Sequence, residues 1–495
     1  MKVKINMKKR TFFAVAGTFF AATELMAGGI VSNTNQHAAY QRNFAREATT
    51  EIDAAYSNPA GLAWKNDGWE LAFSYQATIQ ERNIESTSPS FSMNADGDGS
   101  ATRSYKGDIV APFIPSLQAA YKKNRWAFYT NIAVSGGGGS CKFDDGMAST
   151  EILVSALPSV ANAVFGRPMF NQYSVESQME GSQYIFSMTL GTAFKFDDHF
   201  SASVGLRGNY ALNRYEGYVK NIKVNNPLAP GEMVAPAELA AGMVKMGMVD
   251  AQTAGAVGDM TADKEIDCEQ SGFGIAPILG IAVNFDRVRF GAKYEFRTKI
   301  EIENESVKDG GMPAYADGQV LRSDVPAIWA MGLDIDILKP LTLGLSYRHY
   351  FDNAATIDAF DKEWYNKCDY AGKGTNDIAG ALEWRINDKW TVSGTAMRTL
   401  YGVEDRFQSD LNFSLDCWSF GGGFKFSPRE NIDINVAYFG VNYDDDYTKV
   451  YAPDMAARNP GRTDVCNRVA NSFAAGINFR FGGEKSSAAE VETVE

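Results

Sequence analysis

Apolar and polar residues alternate along most of this chain, which is the pattern of β-strands with two unlike faces. The first run places Trp69, Leu71, Phe73, Tyr75, Ala77 and Ile79 on one face and Glu70, Ser74, Gln76 and Thr78 on the other. We count fourteen such runs, near residues 68–82, 109–121, 125–136, 180–196, 199–222, 268–285, 287–302, 319–336, 340–351, 374–386, 389–402, 409–427, 431–444 and 467–481. The alternation predicts an all-β protein, but membrane barrels and soluble β-sandwiches both show it.

The connections between the runs alternate in length, and this decides between the two architectures. Tight turns at 122–124, 197–198, 286, 387–388 and 428–430 alternate with long loops near 83–108, 137–179, 223–267, 303–318, 352–373 and 445–466, with one short exception at 403–408. An even number of antiparallel strands with tight turns at one end and long loops at the other is typical of outer-membrane barrels, which must close because no unpaired backbone edge can face lipid. We therefore predict a 14-stranded antiparallel transmembrane β-barrel over residues 65–481.

The beginning of the chain has the three parts of an export signal. Lys8, Lys9 and Arg10 precede an apolar core at 11–22, and Leu25-Met26-Ala27 precedes the expected cut before Gly28. The core is shorter than the roughly 20 residues that a membrane-spanning helix needs. With the barrel pattern, a signal peptide over residues 1–27 predicts the outer membrane of a Gram-negative bacterium, with its lipid as a partner.

Composition narrows the functional classes. The formal charge of −13 argues against nucleic acid as a partner, because nucleic-acid binding needs basic patches. The chain has three His and no CxxC, nucleophile elbow or phosphate-binding loop, so we expect no enzyme, no cofactor and no metal site. Residues 94–99 resemble part of a calcium loop, but Tyr105 stands where the closing Glu is expected.

The cysteines and the C-terminus give weaker expectations. Five cysteines follow the signal, in a compartment where disulfides can form, and their odd number leaves at least one unpaired. We expect one or two bridges between loops, whose pairs the sequence does not assign. Residues 482–495 are small and acidic without any period and are expected to be a flexible tail.

Three segments are candidates for function. Asn58-Pro59-Ala60-Gly61 predicts a rigid bend, or an ordinary turn that enters the first strand. Gly136-Gly137-Gly138-Gly139 ends the third run, where glycines mark a bulge, a close approach of backbone or the start of a flexible loop. Two long loops carry apolar residues at helical spacing, and these either pack on each other or line a groove for an apolar ligand. The groove candidates are Leu157, Val160, Val164, Phe165, Met243 and Met246.

Residues 28–64 resemble the outer-membrane family that transports long-chain fatty acids and other hydrophobic compounds, the FadL/TodX type. The resemblance rests on Ala27-Gly28-Gly29, on Ala45-Arg46-Glu47-Ala48 and on Asn58-Pro59-Ala60-Gly61 directly before the first strand. It implies that residues 28–64 form a hatch inside the barrel, with Asn58, Pro59 and Ala60 as hatch residues. It also implies that a kinked third strand, for which Gly136 to Gly139 are candidates, opens a window toward the lipid, and that the large outer loops form a capture groove.

The function implied by this resemblance is passive uptake of hydrophobic molecules by a monomer. Long-chain fatty acids are the leading ligand class, and aromatic hydrocarbons are the alternative within the family. The implied transport has four steps: the outer loops capture the ligand, a pocket in the lumen binds it, the hatch moves near Asn58, and the ligand leaves sideways into the bilayer. A diffusion porin for polar solutes and a non-transporting adhesin or structural barrel remain as alternatives.

Overall fold

The structure is a computed structural model that describes residues 29–360, 363–410, 412–444, 446–453 and 461–482. The predicted signal at 1–27, Gly28 and the predicted tail from residue 483 onward lie outside the described residues. Within the described part, no helix has the length and apolar character needed to cross a bilayer.

Fourteen antiparallel strands close into a barrel, as the alternation predicted. They are β1 (Gly68–Thr87), β2 (Thr102–Lys123), β3 (Trp126–Phe143), β4 (Tyr173–Lys195), β5 (Phe200–Asn225), β6 (Lys264–Phe285), β7 (Val288–Glu295 and Glu301–Asp309), β8 (Val320–Arg322 and Ile328–Leu338), β9 (Leu341–Tyr350), β10 (Asn376–Arg385), β11 (Trp390–Leu400), β12 (Cys417–Arg429), β13 (Ile432–Tyr443) and β14 (Arg462–Phe481). Each strand pairs with its neighbours in sequence, and β14 pairs with β1 to close the sheet. The prediction of fourteen strands is confirmed.

The two faces of the strands are divided as a membrane barrel requires. On β1, Trp69 and Phe73 are 46% and 42% exposed on the outside, whereas Glu70 and Ser74 are buried on the inside. Outward aromatic residues gather near the tight turns, where Trp126 stacks on Phe128. Because side chains alternate along a strand, this division follows directly from the period of two in the sequence.

The barrel is tall on one side and short on the other. Strands β1 to β6 contain 18 to 26 residues, whereas β9 to β13 contain 10 to 13. Helices α3 (Ala148–Ser155) and α4 (Leu157–Phe165) lie in the loop after β3, and α5 (Pro236–Lys245) and α6 (Ala251–Thr261) lie in the loop after β5. Shorter pieces complete the loops: strands Met233–Val234, Asp358–Phe360, Trp364–Asn366 and Tyr447–Tyr451, and 3-10 turns Pro89–Met93, Pro313–Tyr315, Asp352–Ala354 and Lys367–Tyr370.

The N-terminal segment, residues 29–64, lies inside the barrel. It contains α1 (Ala38–Arg42), α2 (Ala54–Ser57) and a 3-10 turn over Pro59–Trp64. Its residues are buried almost throughout, and they form hydrogen bonds with side chains or backbone of twelve of the fourteen strands. The strand partners are Ser74, Ser116, Val134, Ser201, Ile281, Lys293, Arg348, Glu383, Thr395, Lys425, Asn435 and Asn478.

Two expectations were wrong in detail. Residues 409–416 are not strand, because they fold inward: Phe413 and Leu415 join the buried apolar cluster, and Asp410 accepts a hydrogen bond from Ser149 N at 2.7 Å. The expected disulfides are not formed, since all five cysteines (Cys141, Cys268, Cys368, Cys417 and Cys466) are free and buried.

Candidate functional site

The barrel wall is broken between β2 and β3. Residues 107–110 of β2 pair with 140–143 of β3, and residues 117–123 pair with 126–132, but residues 111–116 and 133–139 have no pairing with each other. The outer neighbours stay paired, since β1 follows β2 and β4 follows β3 past the break with local bulges. The result is a gap in the middle of the β2–β3 ladder.

The local sequence accounts for the break on both strands. Pro112 and Pro115 lie in the unpaired part of β2, where proline is tolerated because it has no N–H to offer a partner strand. On β3, Gly137 and Gly138 have φ values of +61° and +129°, which residues with a side chain rarely adopt. The backbone of β3 can therefore turn away from β2, toward the lumen.

The beginning of the N-terminal segment takes the place of the missing ladder. Asn33 N donates to Ser135 O at 2.8 Å, and its side-chain Nδ2 donates to Val134 O at 3.1 Å and to Gly137 O at 2.6 Å. Val134 N donates to Gln36 Oε1 at 3.0 Å, and Gln36 Nε2 donates back to Val134 O. Polar groups of β3 that face the gap are thus satisfied by a different part of the chain, as burial demands.

The rest of the N-terminal segment is held by buried ions. Arg42, whose side chain is fully buried, pairs with Glu383 of β10 and donates to Asn435 Oδ1 of β13 at 3.1 Å. Glu47 accepts a hydrogen bond from Arg348 Nε of β9 at 2.6 Å. Removing one partner of such a pair leaves an uncompensated buried charge, at a cost of roughly 3–5 kcal/mol.

A second set of ions stabilises the segment internally. Arg46 donates two hydrogen bonds to Asp53, at 2.8 and 2.7 Å, and one to Glu51 at 2.7 Å. Burial alone would raise the pKa of Asp53, but the Arg46 guanidinium holds it below its ordinary value. Burial lowers the pKa of His37, whose Nδ1 accepts from Ala39 N at 3.0 Å and caps α1 as a neutral ring.

An apolar region of the lumen adjoins the break. Ala111 and Ile114 from the unpaired part of β2 and Val134 from β3 belong to one buried cluster with Tyr40 and Phe44 of the N-terminal segment. Phe44 meets Phe439 of β13 edge to face, with ring centroids 5.5 Å apart. The gap is therefore flanked on its inner side by apolar side chains rather than by charges.

Solved structures with the same architecture exist, although the chain matches no protein-family model and no curated protein. A Pseudomonas aeruginosa FadL homologue is 15% identical, with a TM-score of 0.58 over 92% of this chain and 100% of that one. The Ralstonia pickettii toluene transporter TbuX is 13% identical and the Pseudomonas putida toluene transporter TodX 11%, each with a TM-score of 0.52 over 92% of this chain and 99% of the other.

The chain has the FadL/TodX fold. At such low identities the likeness establishes the fold alone, so the roles of individual residues in this chain rest on its own geometry.

In this FadL/TodX-type barrel, the Asn58-Pro59-Ala60-Gly61 motif fixes the end of the N-terminal segment to the wall. Asn58 Nδ2 donates to Ile281 O of β6 at 2.9 Å and to Glu47 O at 3.2 Å, and Ser201 Oγ of β5 donates to Ala60 O at 2.8 Å. Gly61 packs directly against the carbonyl of Thr49, where a Cβ atom would clash. This geometry is that of an anchor, and it does not by itself identify the part of the segment that moves.

The four glycines Gly136 to Gly139 lie within β3 and form part of the break, so the sequence-predicted kink candidates and the gap coincide in position. A side chain at Gly136 would collide with Val31 O of the N-terminal segment. Sequence reasoning missed Pro112 and Pro115 on the facing strand. Two prolines inside an alternating run are an edge-strand signal, and they could have located the other side of the gap.

The groove candidates in the outer loops differ in their surroundings. Leu157 of α4 and Met243 of α5 pack into the same apolar cluster around Phe170, so they contact each other's loop instead of facing an open cleft. Val160 is half-buried and Met246 is 53% exposed. Val164 and Phe165 belong to α4, but their side chains lie outside the described part of the structure.

A pocket lies beside these loops and was not predicted. It is a partly open pocket between the end of α3 and strands β4 to β6. Its lining is mostly apolar and includes Leu153, Met179, Ile222, Met260 and Met312. Methionine side chains adapt their shape to irregular apolar partners, so the lining of this pocket is compatible with a flexible hydrocarbon.

Proposed function

We propose that this protein is a passive outer-membrane channel of a Gram-negative bacterium, that it takes up hydrophobic molecules, and that long-chain fatty acids are its main ligand class. The observation that carries the proposal is the gap between β2 and β3, which is flanked by apolar side chains and occupied from within by residues 31–36. Transfer from water to lipid through a side opening is unfavourable for a polar solute and favourable for an apolar one, so such an opening suits an apolar solute.

Membrane insertion is supported by the outward surface. Exposed apolar side chains occupy successive strands, including Phe128 (53% exposed), Leu190 (55%), Leu206 (56%) and Phe273 (59%). So large an apolar surface on a soluble protein would drive aggregation, but it is what a lipid bilayer requires. The solved structures of the same fold include two toluene transporters and a FadL homologue, which supports a channel for hydrophobic compounds.

Residues 28–64 act as the hatch in this proposal, and their contacts favour lateral over axial exit. The axial side is closed by buried ion pairs such as Arg42–Glu383 and Arg348–Glu47, which are costly to break. The side facing the gap is closed by neutral hydrogen bonds from Asn33 and Gln36, each contributing about 1 kcal/mol. The first residues of the hatch therefore open at lower cost than the remainder, and the part anchored by Asn58 stays in place.

Ligand entry uses the outer loops. The apolar pocket between α3 and β4 to β6 captures the ligand, which then passes inward to the cluster around Ala111, Ile114 and Val134 and leaves through the gap. Met179 and Ile266 connect the two sites, because both line the pocket and both belong to the buried cluster. No step needs energy input, since each position is apolar and the last one adjoins lipid.

Uptake of labelled oleate by cells with and without the gene tests the proposal, together with conductance of the purified protein in planar bilayers. We expect oleate uptake to fall when the gene is removed and ionic conductance to be low, because the hatch fills the bore. Unchanged uptake combined with a large, steady conductance would instead identify a diffusion porin for polar solutes.

A further inference from the structure

The barrel wall has a second break, between β6 and β7. The ladder of these two strands is continuous toward both of its ends, but residues 273–277 of β6 and 296–301 of β7 are not paired with each other. A main-chain hydrogen bond from Phe296 N to Pro277 O at 3.0 Å lies at one end of the unpaired stretch. The nitrogen of Pro277 has no hydrogen to offer β7, so the sequence itself weakens the ladder at this point.

At this second break β7 is displaced toward the lumen. Ile275 of β6 is 57% exposed on the outside, so its neighbour Gly274 faces inward. The carbonyl oxygen of Lys299 lies where a side chain at Gly274 would begin. On its other side β7 stays attached to β8, since Thr298 N donates to Val325 O at 3.0 Å and Val325 N donates to Thr298 O at 2.9 Å. Strand β7 therefore crosses the inner face of β6 without leaving β8.

The second break lies at the same height in the wall as the first break, the gap between β2 and β3. Val134, beside the first break, is paired with Phe186 of β4, which is paired with Tyr210 of β5. Tyr210 is in turn paired with Phe273, at the edge of the second break. Three strand spacings of roughly 4.8 Å separate the two breaks, which makes about 14 Å.

A chain of buried hydrogen bonds joins the displaced parts of β3 and β7 across this distance. Ser135 Oγ donates to Asn209 Oδ1 of β5 at 3.2 Å and also lies 3.3 Å from Ile185 O. Asn209 Nδ2 donates to Thr298 Oγ1 at 2.7 Å. All three side chains of the chain are buried. At its other end, Ser135 O accepts from Asn33 N of the hatch at 2.8 Å, so the chain runs from the hatch to the second break.

The position of Asn209 explains how it reaches both strands. Asn209 is paired directly with Gly274, and the missing side chain there leaves the space through which Thr298 approaches. Asn209 itself lies in a strand that is paired on both sides, whereas Ser135 and Thr298 lie in segments that have lost ladder partners. Segments with fewer main-chain bonds open at lower free energy than paired strands. A displacement of one loose segment is thus transmitted to the other through a fixed residue.

We propose that Asn209 is a positioning residue that couples the two breaks, so that the hatch leaves the first break more readily when the β7 segment at the second break is released. Asn209 holds Ser135 in the place where its carbonyl accepts from Asn33, and Thr298 holds the Asn209 amide in turn. The inference rests on the proposed function, because it assigns a distant part of the wall to the opening of the hatch.

Maleimide labelling of a thiol introduced by Ser32→Cys in the purified full-length protein measures how often the hatch leaves the first break. Ser32 is 4% exposed and precedes Asn33. Thr298→Val keeps a β-branched side chain but removes the hydroxyl that accepts from Asn209. We expect it to accelerate labelling about 5- to 30-fold, in the lower part of the usual range for coupling between sites. Thr298→Ser keeps the hydroxyl and should leave the rate within about twofold of the parent protein.

Coupling between two sites is reciprocal, so a change in the hatch should be detected at the second break. Asn33→Leu removes two side-chain hydrogen bonds from the hatch to β3. We expect it to accelerate hydrogen exchange of the amides of residues 296–301. In the Thr298→Val background the same substitution should add little, because the link between the two segments is already cut.

Gln270→Leu is the matched control for a purely structural effect. The Gln270 amide accepts from Asn213 of β5 at 3.2 Å and donates to Asn304 of β7 at 2.9 Å, and it has no hydrogen bond to β3 among the described residues. It therefore joins β5 to β7 as Asn209 does, but without a connection to the hatch. We expect Gln270→Leu to lower the melting temperature at least as much as Thr298→Val and to leave labelling at position 32 within about twofold.

Three results would overturn the inference. If labelling at position 32 stays within about twofold in both Thr298→Val and Asn209→Leu, with both variants folded, the two breaks are independent; the uptake function would still stand, since labelling uses no ligand. Equal acceleration by Gln270→Leu and Thr298→Val would assign the effect to general loosening of the wall. Oleate uptake that does not depend on the gene would overturn the proposed function, and with it the role of Asn209 in uptake.

Discussion

The hydrogen bonds between Asn33 and β3 predict how often the hatch leaves the gap. Asn33→Leu keeps the approximate volume but removes the bonds from Nδ2 to Val134 O at 3.1 Å and to Gly137 O at 2.6 Å. The main-chain bond from Asn33 N to Ser135 O is retained. At about 1–1.5 kcal/mol for each buried bond, the closed state loses about 2–3 kcal/mol. Since 1.4 kcal/mol is a factor of ten, the open population should rise about 30- to 150-fold.

Modification of an engineered thiol measures this population. Ser32→Cys is a mild reporter, because Ser32 is 4% exposed and its hydroxyl has no hydrogen-bond partner among the described residues. The five native cysteines are buried, so maleimide labelling of the parent protein should be slow. When reclosing is fast, the labelling rate follows the open population. We expect Asn33→Leu to accelerate labelling of Cys at position 32 by the factor given above.

The matched control for this measurement is Gln118→Leu. Gln118 is a buried lumen amide that donates to Asn131 Oδ1 at 2.9 Å and makes no hydrogen bond to the N-terminal segment. If Gln118→Leu accelerates labelling of Cys at position 32 as much as Asn33→Leu does, the effect reflects general loosening of the barrel. A change below about threefold in Asn33→Leu, with the melting temperature preserved, would refute the reasoning from hydrogen bonds.

Three further predictions concern the hatch and the kinked strand. Arg42→Met leaves Glu383 of β10 with the more distant Arg46, 4.0 Å away, as its cation, at a cost of up to about 3–5 kcal/mol, and should raise ionic conductance in planar bilayers. An unchanged conductance would show that the Arg42–Glu383 pair does not seal the bore. Gly137→Val places a β-branched side chain at a φ of +61°, which costs at least about 1–2 kcal/mol, and should reduce oleate uptake while the barrel still folds. Normal uptake would show that transport does not depend on the glycine conformation at this position. Burial lowers the pKa of His37, with Arg46 adding to the effect and Asp53 opposing it. At low pH the unfolded segment therefore binds a proton at His37 more readily than the folded segment does. The stability of the hatch should fall as the pH drops below about 6.5. Hydrogen exchange of hatch amides, corrected for the intrinsic rate, should accelerate at pH 5.5 in wild type and not in His37→Gln; equal acceleration in both would assign the effect to another group.

The strands of this barrel could be predicted from the sequence because their pattern depends only on adjacent residues. Trp69 and Glu70 reveal the two faces of β1 by their order alone, since one face meets apolar surroundings and the other meets the lumen. Where strands end is set by contacts with distant residues. Asp410 turns away from a strand because Ser149 and Arg462 bind its carboxylate, and neither neighbour is visible in the local pattern.

Only part of the candidate site could be predicted from the sequence, for the same reason. Gly136 to Gly139 and Asn58 to Gly61 stand out locally, and both lie where the N-terminal segment meets the wall. The donors that bind β3, Asn33 and Gln36, are ordinary polar residues without any motif, and their role depends on contacts across about 100 positions of the chain. The capture groove stays a prediction, because helical spacing shows that two loops have apolar faces but not whether those faces line a groove or pack on each other, and Leu157 and Met243 do share one cluster.

Lateral exit of a hydrophobic ligand through the gap is the central claim, and photo-crosslinking tests it most directly. A palmitate with a photoreactive group on its chain is added to outer-membrane vesicles that contain the protein, and crosslinked peptides are mapped by mass spectrometry. We expect crosslinks at residues 111–116 of β2 and 133–139 of β3, where the two strands are unpaired. Crosslinks confined to residues at the tight-turn end of the bore, near 65–67 and 122–125, would show that the ligand leaves along the axis and would contradict the account.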